Sequence, residues 1–220
     1  MKGKAVCGFI VLVIGLLSPG NIQAQGTTYL SNLGHTSTGS MAVGSDSWLA
    51  ADLRTGFNSS GYLLDSVDLA MGNATGNPNG LAVMIYSAIT GVAVFPGSSL
   101  GTLNGSENPT TTDVYNYVPT SATILSANTH YFIVLVAGTA TNVGAYGWSI
   151  TGTPTGSSNG WTANYSLAYS SNGSSWSFLS GDLAQFALTA TPIPEPGVLV
   201  LLVLAGLGFL WRRSKARRFR

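Results

Sequence analysis

Seven carboxylates and two histidines make up the ordinary general acid–base inventory between Gln25 and Thr191: Asp46, Asp52, Asp65, Asp68, Glu107, Asp113 and Asp182, with His35 and His130. Glycoside hydrolysis needs two carboxyl groups roughly 5–10 Å apart on either side of a sugar bond. Asp65 and Asp68 are three residues apart on an expected strand, where side chains alternate, so they face opposite ways and make poor partners. Glu107 is the one glutamate of this stretch and lies in the loop Gly105-Ser106-Glu107-Asn108-Pro109. A zinc or serine-hydrolase centre needs both histidines to converge with a carboxylate. The chain has no His-Glu-x-x-His and no phosphate-binding glycine loop. His130 directly precedes an apolar run and is read as a strand-end residue. The expectation is therefore a protein that is not an enzyme and needs no cofactor, with an extracellular glycoside hydrolase as a remote alternative.

Two non-catalytic chemistries fit better. Calcium is a hard cation that takes oxygen ligands, and Asp46, Asp52 or Asp113 with loop carbonyls can build a structural site, although no dense Asp-x-Asp loop is present. Sugar rings stack on exposed aromatics, and Trp48, Trp148, Trp161 and Trp176 stand with Tyr115, Tyr117, Tyr165 and Tyr169. Trp148 and Tyr146 share a face with Ile150 and are read as core, where aromatics bury large area. Trp161 and Trp176 lie beside Gly/Ser loops and are expected to be exposed, which makes them the candidate ligand-stacking pair.

The elements that must position these residues are strands. The stretch is rich in Gly, Ser, Thr and Asn and poor in the Lys, Glu and Arg that usually surface helices. Tyr146, Trp148 and Ile150 alternate with small residues, and Tyr165, Leu167 and Tyr169 do the same. Phe186 and Leu188 repeat the pattern, each run giving one large-residue face. Leu81–Tyr86 and Tyr131–Val136 are apolar at nearly every position, as for strands covered on both faces. Ser171-Asn172-Gly173-Ser174 predicts a hairpin with a type I′ turn, and Asn77-Pro78-Asn79-Gly80 and Asn104-Gly105 mark further turns. Nine to eleven short strands are expected, forming an all-β antiparallel β-sandwich or jelly roll, with 152–160 as an internal loop.

Both ends read as targeting segments around a domain at 25–190. Met1–Lys4 carries two lysines, Ala5–Leu17 is apolar, Ser18-Pro19-Gly20 breaks it, and Ala24 offers a small residue before a cut at Gln25. That is the layout of a signal peptide, 1–24, for signal peptidase. The only cysteine, Cys7, lies within it, so the domain has to rest on its core without disulfides. At the other end, 191–220, Pro194-Glu195-Pro196 precedes the apolar run Val198–Trp211 and the basic tail Arg212, Arg213, Lys215, Arg217, Arg218 and Arg220. Fourteen apolar residues make about 21 Å of helix, short of the ~30 Å hydrocarbon core, so flanking residues must help a single transmembrane helix to span. Cations after such a run stay on the cytoplasmic side. The two prolines make the preceding segment extended. A permanent anchor with an incidental proline stem gives the same topology. Between the ends, one base, Arg54, stands against seven acids, a net of −6 that the whole-chain value of +1 conceals, and nucleic acid is repelled.

The tail TPIPEPGVLVLLVLAGLGFLWRRSKARR resembles the PEP-CTERM sorting signals, with the Pro-Glu-Pro, apolar run and Arg-rich cluster in order. The resemblance implies recognition by an exosortase in the inner membrane of a Gram-negative, exopolysaccharide-making bacterium, and a final place at the cell surface or in the extracellular matrix. From about Leu30 to Thr151 the chain is similar to choice-of-anchor surface domains, type R, through Gly44-Ser45-Asp46-Ser47-Trp48-Leu49-Ala50, Pro96-Gly97-Ser98-Ser99-Leu100, Tyr131-Phe132-Ile133-Val134-Leu135 and Gly144-Ala145-Tyr146-Gly147-Trp148-Ser149. That similarity implies a surface location and no assigned activity. The expected partners are signal peptidase, exosortase, the inner membrane and extracellular polysaccharide.

Overall fold

The computed structural model describes residues 26–195 apart from Thr90, Val92 and Asp182. The expected signal peptide at 1–24, Pro196, the apolar run 198–211 and the basic residues 212–220 lie outside the described residues. Among the described residues there is no helix, and fifteen strands follow one another. They are β1 (Thr27–Ser31), β2 (Gly39–Val43), β3 (Trp48–Arg54), β4 (Tyr62–Gly76), β5 (Ala82–Ile89), β6 (Phe95–Asn104), β7 (Asp113–Pro119) and β8 (Ile124–Leu125). The second half of the chain gives β9 (His130–Val136), β10 (Gly144–Thr151), β11 (Gly156–Ser157), β12 (Thr162–Ser170), β13 (Ser177–Ser180), β14 (Leu183–Ala184) and β15 (Phe186–Pro192). The excess over the expected nine to eleven includes three two-residue strands, β8, β11 and β14, too short to leave an alternating pattern.

Every pairing is antiparallel, and the strands make one continuous sheet in the order β11-β1-β15-β4-β7-β6-β5-β9-β3-β12-β13. The fifteen-residue β4 is its spine. One edge of β4 takes β15 from Tyr62 to Leu69 and then β10 from Met71 to Gly76. The other edge takes β8 at Tyr62 and Leu63 and β7 from Val67 to Met71. Among the described residues the β4 half pairs with the β5–β9–β3–β12 half through Leu103↔Pro119 and Asn104↔Val118, extended by the Thr120 amide donating to the Thr102 carbonyl at 3.1 Å. The sheet curls at that narrow seam, and the two halves share a core of Leu30, Val67, Leu69, Trp148 and Leu188 with Leu49, Leu53, Ile85, Ile133 and Leu167. Each such side chain contributes about 1.5–3 kcal/mol by leaving water.

Patterning read from the sequence survives in part. Tyr131–Leu135 is buried at every position, with Tyr131, Ile133 and Leu135 in the main core and Phe132 and Val134 in a smaller outer cluster. β10 is buried along both faces as well, which its small alternate residues did not announce. Gly147 lies so close to Ser40 and the Gly72 strand that small residues are what allow the neighbours in. The 171–176 hairpin forms, with Tyr169↔Ser177 as its last pair, but its loop is longer than a type I′ turn. Gly173 takes φ 74° while Asn172 turns its Oδ1 onto the Ser174 and Ser175 amides. The 152–160 loop contributes β11, which pairs with β1.

Candidate functional site

Two places on this frame bring functional side chains together. The first is the junction between the fold and the sorting tail. β15 continues to Pro192, which is still paired with Tyr62, two residues beyond the expected domain limit at 190. The Ile193 amide then donates to the Gly61 carbonyl at 3.0 Å. Asn58 Nδ2 donates both to the Ile193 carbonyl at 3.0 Å and to the Gly61 carbonyl at 2.7 Å. Ser59 Oγ donates to Glu195 Oε1 at 2.9 Å. Pro194 and Glu195 are exposed. Gly61 has to be glycine here: φ is 79°, and a Cβ would sit 2.6 Å from the Leu125 carbonyl oxygen. The first two residues of Pro-Glu-Pro are thus exposed, yet Glu195 is tied to the 56–61 loop.

The second is the outer face of the β3–β9 half. Ala50, Phe132, Val134 and Ala168 form a small buried cluster there, with Trp48, Met84, Tyr86 and Trp176 half-buried on it. The Trp48 indole donates to the Ser45 carbonyl at 3.1 Å, and Gly173 lies against its ring. β6 and β13 stand at opposite ends of the run β6-β5-β9-β3-β12-β13, yet Phe95 and Phe178 stack at 4.6 Å and 21°. The run is therefore bent until its margins meet. Phe178 remains 42 % exposed. Of the expected stacking pair, only Trp176 is at the surface.

Trp161 corrects the expectation of an exposed pair. It is 1 % exposed, stacked on Tyr29 at 4.8 Å and 13° and met edge-on by Tyr62 at 4.8 Å. A neighbouring Gly/Ser loop says nothing about which way the first residue of the following strand turns, and here Trp161 turns inward. It offers no ring face to a ligand. Tyr117, also considered for stacking, is buried, and its hydroxyl donates to the Ser106 carbonyl at 2.9 Å.

The carboxylates are dispersed among separate structural partners. Asp46 accepts from the Thr141 amide at 2.8 Å, which holds its carboxyl below the usual aspartate range. Asp113 accepts from the Val114 amide at 2.8 Å, and Asp65 and Asp68 accept from Thr191 and Asn116. Asp52 is buried on β3 and receives His130 Nδ1 at 3.0 Å from β9. The three calcium candidates, Asp46, Asp52 and Asp113, are not brought together, because they lie on different elements. Among the described residues no group of three or more His, Asp or Glu is placed to hold a metal ion. A cleft of about 440 Å³ at the β5–β6–β7 seam is lined by Leu81, Thr102, Leu103, Glu107, Tyr117 and Thr120, with Glu107 the carboxylate in its lining.

The Asp52–His130 pair was missed by sequence reasoning, which treated the two residues separately. Both point to the outer face in adjacent register, Asp52 opposite Phe132 and Arg54 opposite His130. The pairing follows only once β3 and β9 are known to be neighbours. Among the described residues no hydroxyl is hydrogen-bonded to His130.

The chain matches no curated protein and no solved structure. Residues 192–214 match the PEP-CTERM protein-sorting motif, so the motif begins at the last residue of β15 and the chain carries the signal of an exosortase-targeted exported protein.

Proposed function

We propose that the β domain is a non-enzymatic structural or adhesive element of the exopolysaccharide matrix, delivered by its sorting tail and released or anchored after exosortase processing. The observation that carries this reading is the sorting motif at 192–214, which begins at the last residue of the β domain's final strand. In this reading 1–24 is a signal peptide, and 198–211 crosses the inner membrane at least transiently with Arg212, Arg213, Lys215, Arg217 and Arg218 on the cytoplasmic side. The curled sheet is a jelly-roll-like sandwich of the choice-of-anchor R type. The intact mass of protein extracted from the cell surface tests it. A species ending near Pro194–Gly197 is the expected result, and one ending at Arg220 overturns exosortase processing.

A second reading is favoured by the bent outer face: Trp176 and Phe178, with Trp48 and Tyr86 beside them, bind the hydrophobic faces of sugar rings. Binding of the extracted protein to a panel of acidic and neutral exopolysaccharides, weakened by Trp176→Ala, is the expected outcome. An affinity unchanged by Trp176→Ala or Phe178→Ala sinks this reading.

A further inference from the structure

We infer that the end of the domain from which the tail leaves is a lipid-contacting surface, with Phe57 and Ile124 as its apolar anchors on the bilayer that holds the tail. This rests on the reading of 198–211 as membrane-embedded.

Three loops and the chain exit meet at this end. Thr55 Oγ1 donates to the Ser126 carbonyl at 2.6 Å, and the Asn128 amide donates to the Gly56 carbonyl at 2.8 Å. Gly56 abuts the Asn159 carbonyl, and the Phe57 ring lies over Gly160. The Ile193–Glu195 exit is bound to Asn58, Ser59 and Gly61 of the same loop. On this end Phe57 is 70 % exposed and Ile124 is 60 % exposed, two of the largest apolar exposures among the described residues. Neither contributes to the core. Ile124 is the outward member of the two-residue β8, whose other member, Leu125, is buried.

The length of the connection decides what these side chains face. Glu195 is fixed to Ser59, and the apolar run begins at Val198, three residues on. Three residues fully extended reach at most about 10–11 Å. The headgroup layer on one side of a bilayer is roughly 5–8 Å thick. An embedded Val198 therefore holds the Glu195 backbone within about 10–11 Å of the hydrocarbon edge, so Ser59, hydrogen-bonded to the Glu195 side chain, lies at or just beyond the outer margin of the headgroup layer, and Phe57 is two residues from Ser59. Apolar side chains such as Phe and Ile that reach the headgroup/acyl boundary are stabilised by leaving water.

Charge does not single out the exit end, where Arg54 stands with Asp52, Asp65 and Glu195. Asp46 is tied to the Thr141 loop, Asp113 is paired with Met71 far along β4, and the Glu107 carbonyl caps Leu81. All three acids sit toward the end opposite the exit. The domain's single base, Arg54, sits at the exit end of β3, just before the Thr55 loop. Asp65 and Glu195 are also near the exit, the first holding Thr191 and the second held by Ser59.

The test uses the full chain reconstituted in vesicles of phosphatidylethanolamine and phosphatidylglycerol. Single cysteines at Phe57→Cys and Ile124→Cys carry an environment-sensitive nitrobenzoxadiazole label, with Cys7→Ser as background. Val143→Cys, 62 % exposed beside the opposite end of β4, is the aqueous control, and Leu204→Cys reports on the tail. The expected result is a blue shift and loss of aqueous quenching at 57 and 124, several-fold relative to 143. If 204 is lipid-buried while 57 and 124 stay as quenchable as 143, the lipid surface is refuted and the embedded tail stands. If 204 itself stays aqueous, both fall. Slower amide exchange of 56–60 in vesicles than in detergent checks the same contact without any substitution, and equal rates count against it.

Discussion

Ser59 Oγ hydrogen-bonds Glu195 Oε1 at 2.9 Å, so a loop 136 positions earlier in the chain holds the central residue of the sorting motif. Together with Asn58 on Ile193, this contact means that the motif has no stalk. The last strand ends at Pro192, and the sorting motif match starts at the same residue. A protease acting beyond Glu195 works against the face of a folded domain. The domain that remains keeps β15 whole, still paired with β1 and β4.

The latch can be opened without touching the motif. Asn58→Ala removes two donors, one to Ile193 and one to Gly61, at a cost of about 1 kcal/mol each. Limited proteolysis of the full chain in detergent, followed by mass spectrometry, should then cut between 193 and 197 several-fold faster, with the core strands still protected. An unchanged cutting rate would show that the segment is already free in solution.

Trp161 and Trp176 are expected to respond in opposite ways. Trp161 is packed between Tyr29 and Tyr62, so Trp161→Ala should cost about 3–5 kcal/mol through lost contacts and a cavity. Trp176 is half-buried on the outer cluster, and Trp176→Ala should cost under about 2 kcal/mol. Urea denaturation of the two variants measures the difference. Equal losses would mean that the outer cluster is as much a core as the inner one.

The sequence was legible where alternation and turn residues act locally. Leu81–Tyr86 and Tyr131–Val136 became β5 and β9, and Asn172-Gly173 became the β12–β13 hairpin. It was not legible where neighbours are set by topology. Nothing local distinguishes Trp161, turned inward, from Trp176, turned outward, since both follow Gly/Ser loops. Asp52 and His130 are 78 positions apart and meet only because β3 lies beside β9. Pro194 and Glu195 are exposed, and the partner loop at 58–61 carried no signal that it would receive Glu195.

Stability should fall at alkaline pH, because burial pushes the hydroxyls of Tyr29, Tyr86, Tyr117 and Tyr146 above their ordinary value. Below about pH 10 these groups are protonated in both folded and unfolded chains, and their contribution is fully present. Above about pH 10 the unfolded chain releases protons that the folded chain retains, so the unfolding free energy decreases as pH rises. Tyr117 is shifted most, and its burial is the leading cause. Denaturation midpoints between pH 8 and pH 11 should decline, and Tyr117→Phe should flatten the decline while losing about 1 kcal/mol at pH 8 with the Ser106 hydrogen bond. An identical slope in Tyr117→Phe would remove Tyr117 from the account.

The Asp52–His130 pair is expected to act as a stabilising cross-strand tie rather than as an acid–base centre. Asp52 is 3 % exposed, and a buried carboxylate that loses its donor carries the full penalty of desolvation. His130→Ala should therefore cost about 1–3 kcal/mol, and Asp52→Ala should cost at least as much, because Asp52 has a further interaction besides His130. A double-mutant cycle isolates their coupling, expected at about 1 kcal/mol or more in favour of the pair. The coupling should persist in a variant lacking Trp176, whose ring contributes no atom to the bond. A coupling near zero would mean that the 3.0 Å contact does not hold β3 to β9 beyond what the backbone ladder already supplies.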